Sequence, residues 1–137
     1  MNTEIPDFGR HYTAIGQLLV DLLPKDFQKA FAGIEREQVD DTWSADVFYL
    51  KKNGRYGLYE DVDGINKLFN EFVNLENAYK DAGLASWTTA TFCLTATGKM
   101  TLDLGYDDVS DFDTAPERRN EWIKKYIGDI LLIDWPE

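Results

Sequence analysis

Trp87-Thr-Thr-Ala-Thr-Phe-Cys-Leu-Thr-Ala-Thr-Gly98-Lys-Met-Thr-Leu-Asp-Leu-Gly-Tyr106-Asp107-Asp108 opens the stretch that decides the fold, and Pro116-Glu-Arg118-Arg119-Asn-Glu-Trp122-Ile-Lys-Lys125-Tyr126-Ile-Gly128 closes it. In the first part Ala90, Phe92, Leu94, Met100, Leu102, Leu104 and Tyr106 take even positions, while Thr89, Thr91, Thr95, Lys99, Thr101 and Asp103 take odd ones. A period of two predicts two half-buried strands, with Thr97-Gly98 as the turn between them. In the second part Trp122, Ile123, Tyr126 and Ile127 recur at helical spacing behind Pro116, a residue suited to a first helical turn. The stretch therefore reads as a hairpin, an acidic connector and a short helix.

Working outward, Ile15, Leu18, Leu19 and Leu22 keep helical spacing from Tyr12 until Pro24 ends the run. Phe27 to Glu37 reads as a strand, in which Gly33 marks a bulge or a close approach of another group to the backbone. Asp40-Asp41 reads as a turn. Two aromatic-rich runs, Ala45 to Lys51 and Arg55 to Tyr59, flank Asn53-Gly54, a pair that suits a type I′ hairpin turn. From Ile65 to Ala82 an apolar stripe predicts the longest helix, with Asp63 as its N-cap and Gly83 at its end. The order is α-βββ-α-ββ-α. Strands joined by tight turns are antiparallel, so the expected fold class is α+β, an antiparallel sheet of five strands with helices gathered on one face. The other face would carry Thr89, Thr91, Cys93, Thr95, Thr101 and Asp103, open to solvent or to a partner.

At 137 residues the chain reads as a single domain, 1–137, with a lead-in over 1–10 and a tail over 129–137. Its 44% hydrophobic and 14% aromatic content argues for a packed core and against disorder. One cysteine permits no internal disulfide, and one cysteine with one histidine is too few for a zinc site. The first residues lack a basic start and an apolar run, and no apolar stretch is long enough for a bilayer. A soluble, cytoplasmic protein is expected. Fourteen basic against 25 acidic residues leave a net charge of -11, which repels nucleic acid and anionic membranes and attracts cationic proteins. Neither a phosphate-cradling glycine loop nor a G-x-S-x-G or H-E-x-x-H motif is present, so no catalytic residue, metal ligand or cofactor site is assigned. Asp61-x-Asp63-Gly64 lacks the remaining ligands of a calcium loop.

The acids are unevenly placed. Between Thr101 and Ala115 lie Asp103, Asp107, Asp108, Asp111 and Asp113 with no lysine or arginine, and Tyr106 and Phe112 stand among them. One reading is a patch for a cationic protein, with charge steering the encounter and rings as anchors. The other is a solvated loop leading into the Pro116 helix, with Asp113-Thr114 as an N-cap and Arg118 or Arg119 pairing back to the acids.

Trp87-Thr88, Thr91-Phe92-x-Leu94, Thr97-Gly98-Lys99, Leu102-Asp103, Tyr106-Asp107-Asp108, Glu117-Arg118 and Trp122-x-x-Lys125-Tyr126-x-Gly128 together resemble the YezG-like immunity (antitoxin) family. The resemblance spans residues 12–128 and is specific in the last forty of these; the tail beyond Gly128 departs from it. It implies a protein without turnover, encoded beside a polymorphic or contact-dependent-inhibition toxin. Such a protein binds and neutralises the C-terminal toxin domain, typically a cationic nuclease. On that reading Asp103, Tyr106, Asp107, Asp108, Asp111 and Asp113 form the toxin-binding surface, joined by Glu60 and Asp61. Because recognition diverges among relatives, a second set is also open: Glu35, Glu37, Asp40, Asp41 and Asp46 would then make the contact. A generic acidic adaptor using an exposed strand edge or the polar face, and a metal-dependent hydrolase, are the alternative functions.

Overall fold

The computed structural model describes residues 8–37 and 42–136. Helix α1, Gly9–Leu22, precedes a meander of β1 (Lys29–Glu37), β2 (Thr42–Leu50) and β3 (Tyr56–Tyr59). Helix α2, Val62–Asp81, leads to the hairpin of β4 (Thr89–Thr95) and β5 (Met100–Gly105), then to α3 (Ala115–Tyr126) and a two-residue strand β6 (Ile133–Asp134). The sheet order is β5-β4-β1-β2-β3-β6; every pairing is antiparallel except β3 with β6. The α+β class stands. The sheet has six strands where five are expected, because the apolar tail returns to pair Ile133 with Tyr56.

The β2-β3 and β4-β5 hairpins close in three-residue loops. Lys51 N donates to Arg55 O, Gly54 N donates to Lys51 O, and Gly54 has φ +84°, so a bulged type I turn replaces the type I′ turn expected at Asn53-Gly54. The N-cap of α2 is Asp61 rather than Asp63: its carboxylate accepts from Gly64 N at 3.3 Å. At the other end Gly83, with φ +77°, leaves α2 in the left-handed conformation that a helix terminus of this kind requires. The expected turn at Asp40-Asp41 lies outside the described residues.

The helices do not share one face. α1 and α2 cover the side formed by Ala30, Ala32, Ile34, Val47, Phe92 and Leu94, where Trp87 is fully buried among Trp43 and Phe72. α3 packs on the opposite side, seating Ile123 and Ile127 against Phe31, Phe48, Tyr56 and Ile133. Burying such an isoleucine contributes about 1.5–3 kcal/mol, enough to hold a short helix in place. Trp122 stands edge-on to Phe31 and leans on Phe48, and its indole N–H donates to Thr91 Oγ1 at 2.8 Å. The face of small polar residues is thus largely roofed. Gly33 makes this approach possible: a Cβ there would sit 2.9 Å from the Trp122 ring, while β1 runs in unbroken register with both neighbours. Of the two readings of Gly33, close approach holds and a bulge does not.

Candidate functional site

The connector between β5 and α3 is an ordered, exposed arch. Val109, buried to 4% exposure, pins its centre, and the Thr88 hydroxyl donates to the carbonyl oxygen of Asp107. Aspartates shape the rest locally. Hydrogen bonds from the Ser110 side chain and from Ser110 N, the latter at 2.9 Å, hold the Asp108 carboxyl below the usual carboxylate range, and Asp111 accepts from Asp113 N at 3.0 Å to start the short 3-10 turn Phe112–Thr114. Thr114, at the N-cap position of α3, makes no side-chain capping bond; the expected Asp113-Thr114 cap is replaced by this Asp111 turn.

Arg118 ties the arch down. Its Nη1 donates to Asp111 O at 2.8 Å and to the Thr114 hydroxyl, and its Nη2 donates to Val109 O at 3.3 Å. The same guanidinium makes a two-pronged pair with Glu35 on β1, at 2.9 and 3.1 Å, which raises the arginine's own pKa. The next residue, Arg119, pairs with Asp46 on β2 at 2.9 Å and lies over the Trp135 ring. Burial pushes the Asp46 carboxyl up despite that partner. Both arginines therefore pair with acids of the sheet, and in the loop Arg118 binds carbonyl oxygens rather than carboxylates.

This arrangement decides how the acids stand. Among the described residues, Asp103, Asp107, Asp108, Asp111 and Asp113 form no ion pair, and all are exposed; Asp103 accepts from the Tyr126 hydroxyl at 2.9 Å. Tyr106 is 58% and Phe112 63% exposed beside them. Of the second set, Glu35 and Asp46 are ion-paired, Glu37 is buried, and Asp40 and Asp41 lie outside the described residues. Glu60 and Asp61 lie at the same end of the sheet, but β3 is four strands from β5, roughly 19 Å at the usual spacing. A cleft of about 810 Å³ opens between α3 and the sheet, floored by Gly33, Ser44 and Asp46 and walled by Val109, Phe112 and Arg118. Sequence reasoning missed it, since it depends on which face α3 takes.

Strand directions sort the charge. The end where β1 begins carries Lys29, Lys51, Lys52, Arg55 and Lys99, of which Lys51 and Arg55 pair with Asp134. The end where β5 finishes carries the aspartate arch and Glu35, Glu37, Glu60 and Asp61, together with Arg36, Arg118 and Arg119, each paired with an acid outside the arch. Among the described residues no group of three or more His, Cys, Asp or Glu side chains is arranged to hold a metal ion, and no helix is long and apolar enough to cross a membrane.

Residues 58–131, more than half of the chain, match the family profile described as "Immunity protein YezG-like". The chain belongs to the YezG-like immunity protein family. The matched span runs from β3 through the arch to the turn before β6, so it contains α2, the β4-β5 hairpin and α3. The chain is also similar to Immunity protein YezG of Bacillus spizizenii, 24% identical over 140 residues that cover 91% of this chain and 85% of the relative. An immunity protein has a cognate toxin as its partner, and the family resemblance expected from the hairpin, arch and helix holds.

Proposed function

We propose that this immunity protein neutralises a nuclease toxin domain in the cytoplasm by forming a stoichiometric complex, as a single domain and without turnover. The observation that carries this reading is the aspartate arch: charges gathered at one end of the sheet, Asp108 and Asp111 held by turns of their own loop, and none of them ion-paired with the chain's own arginines among the described residues. Leaving them unpaired has a cost in self-repulsion that a cationic partner removes. A nuclease is cationic where it holds a polyanion. The contact surface on this reading is Asp103, Tyr106, Asp107, Asp108, Asp111 and Asp113, with Tyr106 and Phe112 as the desolvated anchors. A partner covering about 800 Å² per side would also reach Glu60 and Asp61. Protection against an enzyme that acts catalytically calls for a Kd on the order of nanomolar or below, about 12 kcal/mol.

The test is a titration against the C-terminal domain of the toxin encoded beside this chain, inactivated in its active site. Changing Asp107, Asp108, Asp111 and Asp113 together to Asn should weaken binding at low salt by roughly 100-fold or more with the fold intact. Unchanged affinity in that variant would refute the assignment.

A further inference from the structure

Strand β5 is an open edge. It pairs with β4 from Met100 to Gly105, and among the described residues nothing pairs with its other side, whereas the opposite edge is the two-residue β6. Thr95 N donates to Lys99 O at 2.9 Å, closing the hairpin and fixing the alternation: Thr101, Asp103 and Gly105 turn their backbone groups toward β4, and Met100, Leu102 and Leu104 turn theirs outward. Proteins blunt such edges with proline, bulges or charge along the strand. β5 has no proline and no bulge, and Asp103 is its one charged residue.

We infer that β5 is where the toxin adds a strand, an extended segment that alternates apolar and basic residues. The inference rests on the immunity reading and specifies its geometry. Main-chain bonds to Met100, Leu102 and Leu104 would supply affinity, and side chains would supply specificity. On the α1 side the edge presents Met100, Leu102 and Leu104, partly exposed apolar groups that call for apolar neighbours. On the α3 side it presents Thr101 and Asp103, and the strand runs directly into the aspartate arch, so that side calls for lysine or arginine. A second copy of this chain is a poorer occupant, since two chains of charge -11 repel on approach.

Amide hydrogen exchange on the 15N-labelled chain, alone and with the inactivated toxin domain encoded beside it, tests this. Expected is fast exchange at Met100, Leu102 and Leu104 in the free chain, slowed at least ~100-fold in the complex, with Thr101 and Asp103 slow in both. A complex in which those three amides exchange as before overturns the edge assignment while leaving the immunity reading intact. Slow exchange there in the free chain, with a doubled solution mass, assigns the edge to a second copy and overturns it too. Absence of any complex overturns both readings. Leu102→Pro removes an outward N–H and none of the ladder to β4, so a variant with unchanged circular dichroism should bind at least ~10-fold more weakly. If that variant does not fold, the exchange measurement decides alone.

Discussion

Gly33 shows how much one residue governs here. Its missing side chain lets the Trp122 ring lie on the β1 backbone, and from that contact α3 takes its distance from the sheet. Gly33→Ala should cost about 1–3 kcal/mol, because ring and backbone both belong to elements that cannot shift freely. Urea unfolding measures the loss, and the Trp122 indole N–H resonance, fixed by Thr91, should move with it. The sequence left a bulge and a close approach both open at Gly33 and could not point to the approaching group, since Trp122 lies far along the chain. Asp134 makes a second case. Lys51 and Arg55 hydrogen-bond its carboxylate and hold its pKa below the ordinary value of 3.8. A carboxyl with a depressed folded pKa stabilises the fold above its unfolded pKa and loses that contribution as pH falls through the folded value. Asp134→Asn should therefore be less stable than the parent at pH 7, and the gap should close in urea titrations below pH 3.8.

At the scale of elements, the hairpins, the three helices and the antiparallel sheet were legible because each follows a local period. The side taken by α3 was not, although β1 and β2 held the signal. Ala30-Phe31-Ala32 and Val47-Phe48 are apolar on consecutive positions, the pattern of strands buried on both faces. The small threonines of β4 and β5 suggested an open face, yet small residues are also what a tryptophan packs on. Arg118 joins α3, the arch and β1 through bonds to Glu35 and to the carbonyl oxygens of Val109 and Asp111. Arg118→Ala should lower stability by only about 1 kcal/mol, since the group is partly solvated. Its larger effect should be local. Proteolysis and amide exchange over residues 106–114 should speed up while the core exchanges as before, and the arch, no longer held in position, should bind the toxin domain more weakly.

For the whole molecule, the net charge of -11 was plain from composition, but its arrangement was not, because strand directions had to be known before lysines of distant segments could be placed together. The free lysines are kept apart from the arch: Lys29, Lys52 and Lys99 stand at the far end of the sheet, which also carries Asp26 and Asp134. On the proposed reading, a cationic toxin domain would be turned toward the aspartates before contact, so association should be steered rather than merely attracted. Stopped-flow rates distinguish the two. Neutralising Asp107, Asp108, Asp111 and Asp113 should slow association by roughly 10- to 100-fold at low salt and flatten its salt dependence. Changing Lys29, Lys52 and Lys99 to glutamine makes the chain more negative overall, which simple attraction would reward with a markedly faster rate. Steering predicts little change from that second variant when both are compared at physiological salt, because its charges lie at the far end of the sheet and screening over ~8–10 Å separates them from the encounter. Equal and opposite effects of the two variants would mean that net charge alone sets the rate and that the position of the arch is immaterial.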